Sequence, residues 1–348
     1  MGEQNVDNRN NLLNDRANDE NKQPDRCILE EDQVLYSLVE NLKLEILKRV
    51  KISEHTINLV LTAFFSGLHL LLEDLPGMGK TTLAKTLVSC IDNTADQTFL
   101  FRRIQFTADL LPYDIIGTEI FVKEKNDFIF KSGPVFAGVL LADELNRGNP
   151  KVQSALLEAM GENQVTVSNK TYKLHDLFFV IATQNPIEIE GTFPLPRSSL
   201  DRFGLSISLG YPSEEQQKDI LKNNLLKFNP DSINKVIKLA DIEKIRKRVD
   251  SVYIDSKLID VINEAGILSR ASKEFYPGFS VRALLHLLNA SKAYAFVSRG
   301  ASFVTDDDLK KVFIPVVSHR LYNKFDRTEL TSFLDEILSK KYWQNKDN

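Results

Sequence analysis

The sequence predicts an α/β domain built on a parallel sheet, followed by a smaller all-α domain. Two features of its patterning predict this. Short apolar runs at His69–Leu72, Leu100–Phe106, Val139–Ala142, Leu177–Thr183 and Leu205–Leu209 alternate with stretches of helical periodicity, the arrangement of parallel strands joined by helical crossovers. From Ser213 onward the strand signals stop. The chain then reads as helices near Glu214–Leu226, Ile242–Arg248, Ser256–Ser272, Val281–Ser298, Thr305–Ser318 and Thr328–Lys340. The expected division is a disordered polar tail over 1–27, an α/β domain over 28–212 and an α-helical domain over 213–348.

Composition narrows the function classes. Of 348 residues 43% are hydrophobic and 26% charged, ordinary for a globular chain with a normal core. A near balance of 44 Lys+Arg against 48 Asp+Glu gives a net charge of −4 and no broad basic footprint, so nucleic acid is not an expected partner. Cys27 and Cys90 form no C-x-x-C pair, which argues against zinc or redox chemistry and for a reducing, cytoplasmic setting. No secretory pattern opens the chain, and Val6 stands where a myristoylation signal needs Ser or Thr. The most apolar run, Ile57–Leu72, is too short to span a bilayer and is broken by Ser66-Gly67, so no membrane span is expected.

The elements follow in order. Residues 1–26 are crowded with Asn, Asp, Glu and Arg and cannot bury enough surface to offset ordering entropy. Leu35, Leu38, Val39, Leu42 and Ile46 recur at helical spacing between Ile28 and Val50, and a second helix covers Glu54–Phe65. The strand at His69–Leu72 runs into Glu73-Asp74-Leu75-Pro76-Gly77-Met78-Gly79-Lys80-Thr81-Thr82, and a helix continues to Ile91. Strand, glycine loop and helix in this order are the setting of a phosphate-binding loop. Over Pro76, Gly77, Met78 and Gly79 the backbone N–H groups can curl around phosphate oxygens, with Lys80 placing charge on the β and γ phosphates of ATP and the Thr81 hydroxyl serving Mg²⁺. Thr82 completes the set. The pattern G-x-x-x-x-G-K-[ST] lacks its first glycine, where Asp74 stands, and the alternative reading is a glycine-rich turn without ligand.

A second acidic site closes the strand at Val139–Ala142, which ends in Asp143-Glu144. Carboxylates at the carboxyl end of a buried parallel strand are costly unless paired or serving a cation. Asp143 is placed to hold Mg²⁺ and Glu144 to activate water; alone, the pair would read equally as a solvated turn. The next helix has Asn149 as N-cap, Pro150 at its first position and Gly161 as exit, with Val152, Leu156 and Ala159 on one face.

Longer runs carry a resemblance. Gly133-Pro134-Val135-Phe136-Ala137 through Arg147, Gln153–Met160, Ile181–Glu188, Glu190–Pro196 and Leu200-Asp201-Arg202-Phe203 resemble the MoxR branch of the AAA+ ATPases, and the likeness covers nearly everything after the tail. It implies an AAA+ P-loop domain with a small all-α lid, acting as a ring, commonly a hexamer. Hydrolysis of Mg²⁺-ATP would drive chaperone-like remodelling or maturation of a protein client, with a von Willebrand factor A domain protein as partner. By the same resemblance Asn185 is the sensor-1 residue, Arg202 the finger reaching a neighbouring subunit's γ phosphate, and Arg282 the sensor-2 arginine. The residues alone leave plainer readings: a turn initiator before Pro186, an arginine paired with Asp201, and a solvated helix-face arginine. Asp114–Phe130 and the hairpin-like Gln164–Leu174 resemble the family's insertions, which engage clients. Three segments depart from the family pattern: Arg197-Ser198-Ser199 before the Leu-Asp-Arg-Phe, Val281 in place of Pro, and Lys51-Ile52-Ser53 in place of Val-Gly-Gln near the adenine. The rival functions are a nucleotide-binding switch with little hydrolysis, which the presence of Asp143, Glu144 and Asn185 opposes, and a DNA-acting motor, which the charge balance opposes.

Overall fold

The computed structural model describes residues 30–92, 100–188, 190–223, 229–321 and 327–343. The polar tail predicted over 1–27, the end of the helix predicted to reach Leu226, and Cys27 lie outside them. In chain order the elements are α1 (Glu30–Arg49), α2 (Glu54–Phe65), β1 (Leu70–Glu73), α3 (Lys80–Ser89), β2 (Ile91–Asp92), β3 (Phe101–Gln105), α4 (Pro112–Ile116), β4 (Gly117–Val122), β5 (Asp127–Ser132), β6 (Val139–Asp143), α5 (Pro150–Glu162), β7 (Gln164–Val167), β8 (Lys170–Lys173), β9 (Phe179–Gln184), α6 (Arg197–Leu200) and β10 (Leu205–Ile207). The helical region then follows with α7 (Glu214–Asn223), β11 (Ile237–Lys238), α8 (Leu239–Asp250), α9 (Ser256–Ala271), α10 (Val281–Arg299), α11 (Asp306–Val317) and α12 (Arg327–Trp343).

The central sheet has the order β10-β1-β9-β6-β3 and every pair in it is parallel. Side chains alternate across a pleated strand, so each central strand feeds two cores. Leu70, Leu72, Val139, Leu141, Phe179 and Ile181 face one core; Leu71, Leu140, Ala142, Val180 and Ala182 face the other. The first core continues without a break through α1, α2 and α3 into the helical region, with Leu287, Phe296, Phe313 and Val316. The second is smaller and is closed by Val152, Leu156 and Ala159 of α5, with Ile115, Val135 and Phe203. His69 pins the start of β1 between them. Its Nδ1 accepts from the Val180 N–H at 3.1 Å and its Nε2–H donates to the Met160 carbonyl at 3.3 Å, while burial lowers its pKa to about 4.

Three expectations change. Strand pairing does not stop at Ser213: β11 pairs in parallel with β2, so the segment after α3 is stitched to the helical region by two residues on each side. So short a pairing leaves no periodicity to read. The helix α5 does not exit at Gly161 but runs to Glu162, with Asn163 taking the left-handed cap at φ 52°, a conformation Asn tolerates better than most side chains. The apolar run Leu100–Phe106 is an edge strand whose Arg102, Arg103 and Gln105 are exposed. The helix caps Ser53, Asn149, Asp255, Ser280 and Thr305 all accept a backbone N–H from the first turn they cap.

Both segments that resemble insertions form hairpins, β4–β5 and β7–β8. They lean on each other through a stacked Phe130–Tyr172 pair at 4.0 Å and a Ser168 hydroxyl donating to Glu119 at 3.0 Å. Phe121 and Phe128 meet at 5.3 Å on the first hairpin and stay exposed.

Candidate nucleotide site

Parallel strands deliver their exits to one edge of the sheet, and here that edge carries the ends of β1, β6 and β9. After β1 the chain turns into α3. Gly77 and Gly79 take φ of 86° and 83°, where an L side chain is strained, and a Cβ built on either meets nothing within 4 Å among the described residues. The loop therefore bends around open space. Gly79 gives α3 no side-chain cap, which leaves the partial positive charge of its first turn facing that space. Lys80 Nζ donates to the Asp74 carbonyl at 2.7 Å. Burial lowers its pKa, opposed by the charges of Asp74, Asp143 and Glu144, so the ammonium lies in the field of three carboxylates. Thr81 and Thr82 follow on the first turn of α3, behind Pro76-Gly77-Met78-Gly79.

Asp74 explains its own departure from the glycine pattern. The carboxylate is buried and accepts from the Ser208 hydroxyl at 2.5 Å and the Leu209 N–H at 2.8 Å. A glycine could not make this staple between the phosphate loop and the exit of β10.

At the end of β6, one hydroxyl organises both acids. Thr183 Oγ1 donates to Asp143 Oδ1 at 2.7 Å and accepts the Glu144 N–H at 2.8 Å. Arg103 on the edge strand donates to Asp143 Oδ2 at 2.6 Å, and Gln105 donates to Glu144 at 2.8 Å. Arg147 adds an ion pair to Glu144 at 3.0 Å and another to Glu188. Glu144 is held at φ 55°, a left-handed conformation that costs a non-glycine residue about 1 kcal/mol or more. Among the described residues no group of three or more His, Cys, Asp or Glu could cage a metal alone. An Mg²⁺ that keeps water and takes phosphate oxygens needs only the Thr81 hydroxyl and the Asp143 carboxylate from the protein, and these residues fit it.

Asn185 leaves β9 beside a cavity of about 880 Å³ whose walls include Glu73, Asn146, Glu188 and, from the helical region, His319 and Leu330. Its Oδ1 accepts the Ile187 N–H at 3.2 Å, the bond of a turn initiator. A smaller cleft of about 320 Å³ lies between the end of α1 and α7, and Lys51 crosses it to Asp219 at 2.8 Å.

The two arginines do not join this edge. Arg202 lies just before β10, and the Gly204 N–H binds the His69 carbonyl at 2.8 Å, at the start of β1. β1 is four residues long, so the phosphate loop leaves its far end about 13 Å away. Arg282 opens α10 and meets Asp201 at 3.8 Å, on the Arg202 side. Arg202 does not pair with Asp201, whose carboxylate is taken by Arg320 at 2.9 Å and Ser280 at 2.9 Å.

Known proteins place this arrangement. Residues 69–205 match the profile described as "ATPase family associated with various cellular activities (AAA)", and residues 268–338 the "AAA lid domain". The chain is 36% identical over 276 residues to the chaperone MoxR1 of Mycobacterium tuberculosis, covering 77% of this chain and 71% of that protein. The chain belongs to the MoxR family of AAA+ ATPases. It is also 37% identical over 300 residues to the uncharacterised protein YeaC of Bacillus subtilis, covering 85% of this chain and 92% of the relative. A crystal structure of a candidate ATPase from Cytophaga hutchinsonii aligns at a TM-score of 0.76 and 36% identity, over 89% of this chain and 96% of that one.

Within this MoxR-family fold, an AAA+ domain followed by a helical lid domain, four residues of the site escaped sequence reasoning: Asp74, Arg103, Gln105 and Thr183. Arg103 and Gln105 carried a readable signal. They alternate with Ile104 and Phe106, which puts both polar groups on one face of a strand. Thr183 and Asp74 had none, since a polar residue at a strand exit is common. Among the described residues no helix is long and apolar enough to cross a membrane.

Proposed function

We propose that this chain is a Mg²⁺-dependent ATP hydrolase that works as a ring and drives chaperone-like remodelling or maturation of a protein client. One observation carries the reading: a clear glycine cradle, a lysine in the field of Asp143 and Glu144, and a threonine that fixes both acids share one sheet edge. The cradle and the amino end of α3 bind the phosphates, and Lys80 neutralises their charge. Thr81 and Asp143 would hold Mg²⁺, which would supply charge neutralisation at the phosphate oxygens. Glu144 takes the proton of the attacking water, and Asn185 orients that water. The cleft crossed by Lys51 and Asp219 takes the base, beside the α1 helix that packs on α3.

Arg202 and Arg282 serve a second copy. They lie at the end of the sheet away from their own phosphate loop, so a head-to-tail neighbour is required to bring them to a γ phosphate. Rings built head to tail close, and six subunits is the number the family implies. The paired hairpins with exposed Phe121 and Phe128 are the client-facing element. The α/β part over 28–212 and the helical part over 213–348 then act as one subunit body, in a reducing cytoplasm that suits the free, buried Cys90. A von Willebrand factor A domain protein is the partner to test first.

The deciding experiment is ATP hydrolysis per subunit across protein concentration for wild type, Glu144→Gln and Arg202→Ala. A rate that rises with assembly, collapses in both variants and partly returns when the two are mixed supports the ring. A rate independent of concentration and indifferent to Arg202 would sink it.

A further inference from the structure

The turn that carries Arg202 is clasped by a buried guanidinium from the helical region. Arg320 Nε donates to Asp201 Oδ1 at 2.9 Å and its Nη2 to the Phe203 carbonyl at 2.6 Å. The same side chain reaches the carbonyls of Asp201 and Gly204, each at 3.4 Å. It also donates to the Val316 carbonyl and lies 2.7 Å from His286 Nδ1. Burial, with Arg320's own charge second, lowers the His286 pKa to about 3, so that nitrogen presents a lone pair. His319 adds its Nε2–H to the same Phe203 carbonyl at 3.2 Å.

Arg320 is 4% exposed, and a buried cation with one carboxylate partner is a costly way to hold a turn. Apolar packing would seat Phe203 equally well. What a guanidinium adds is a planar fork that fixes a carboxylate and several carbonyls in one geometry, here on both sides of Arg202. Arg202 itself is lightly held. Among the described residues its Nη1 has one contact, at 3.4 Å to the Ser198 carbonyl, and its buried Nε has no partner; its stem lies over Gly161. The backbone turn therefore sets where its tip points.

We infer that Arg320 is a positioning residue, which through the Asp201–Gly204 turn aims Arg202 at the phosphates of a neighbouring subunit. The inference rests on the ring reading above and deepens it. An aiming error of about 1 Å at a transition-state contact costs on the order of 100-fold in rate.

The test is subunit mixing. Arg320→Met should lower kcat about 100-fold while KM for ATP moves less than about twofold, because its own phosphate site is intact. Adding Glu144→Gln subunits, which present a correctly aimed Arg202, should restore part of the rate. Adding Arg202→Ala subunits should restore none. A purely structural role predicts no rescue by either, and that result in a protein of wild-type assembled size overturns the inference, as does an Arg320→Met rate equal to wild type. If Arg320→Met does not assemble, Arg320→Lys decides by the same mixtures, since lysine keeps the charge but loses the fork. Failure of the ring reading looks different: Arg202→Ala would itself turn over like wild type.

Discussion

The two ends of the central sheet are built in contrasting ways. At the carboxyl end, Asp143 and Glu144 share Thr183, lie in the field of Lys80 and are tied to exposed Arg103 and Gln105 and to Arg147, around a loop with open space in front. At the amino end, buried Arg320 and His319 with half-buried Asp201 and His286 form a network around the turn that carries the lightly held Arg202. On the proposed reading, the difference is that of a receptor and a pointer. A receptor needs bonds that can be exchanged for ligand; a pointer needs bonds that are never exchanged.

The contrast is tested first at Lys80. Lys80→Ala should lower turnover by ~10²–10³-fold, the scale of losing one electrostatic donor, and leave the thermal midpoint within about 2 °C of wild type. A large loss of stability would mean that the carboxyl edge is also a structural hub. Asp201→Asn should do the reverse at the other end and lower unfolding free energy by about 2–4 kcal/mol, because it leaves the buried Arg320 without its counter-charge. Denaturant titration reads this directly.

Asp74→Asn falls between the two. It weakens the staple to Ser208 and Leu209 and should cost about 1–3 kcal/mol, with a smaller loss of nucleotide affinity. Acid should find the amino end first. His69 and His286 have folded pKa values lowered to about 4 and about 3, so their stabilisation is complete above the unfolded value near 6.5 and is lost as pH falls from there toward those values. The thermal midpoint should drop between pH 7 and pH 5, and His286→Gln should flatten that drop. The smallest effect is expected of Arg103→Gln. Removing the cation that pairs with Asp143 should lower the Mg²⁺ concentration for half-maximal nucleotide binding a few-fold, read by a fluorescent nucleotide.

Much of the receptor end was legible in the sequence and little of the pointer end. Glycines at fixed spacing, a lysine at a helix start and paired acids after an apolar strand are local signals, and each falls on the sheet edge where its type belongs. The clasp on Arg202 is not local. Asp201 and Arg320 stand 119 residues apart, and neither departs from the pattern around it. Gly161 misled for the same reason: it suits a helix exit by itself, whereas the fold uses its lack of a side chain as the bed for Arg202.

The unbroken core between the sheet and the helical region has a mechanical meaning. Leu70, Phe179 and Ile181 share that core with Leu287, Phe296 and Phe313, and β2 is laced to β11 behind it. A lid that swings on its own hinge would have to tear this apolar continuum at every cycle. On the reading proposed above, the subunit is a rigid lever with a receptor at one tip and a pointer at the other. If the proposed ring forms, its stroke falls at the seams between neighbours, and the hairpins riding on the smaller core move as the lever's outboard arm.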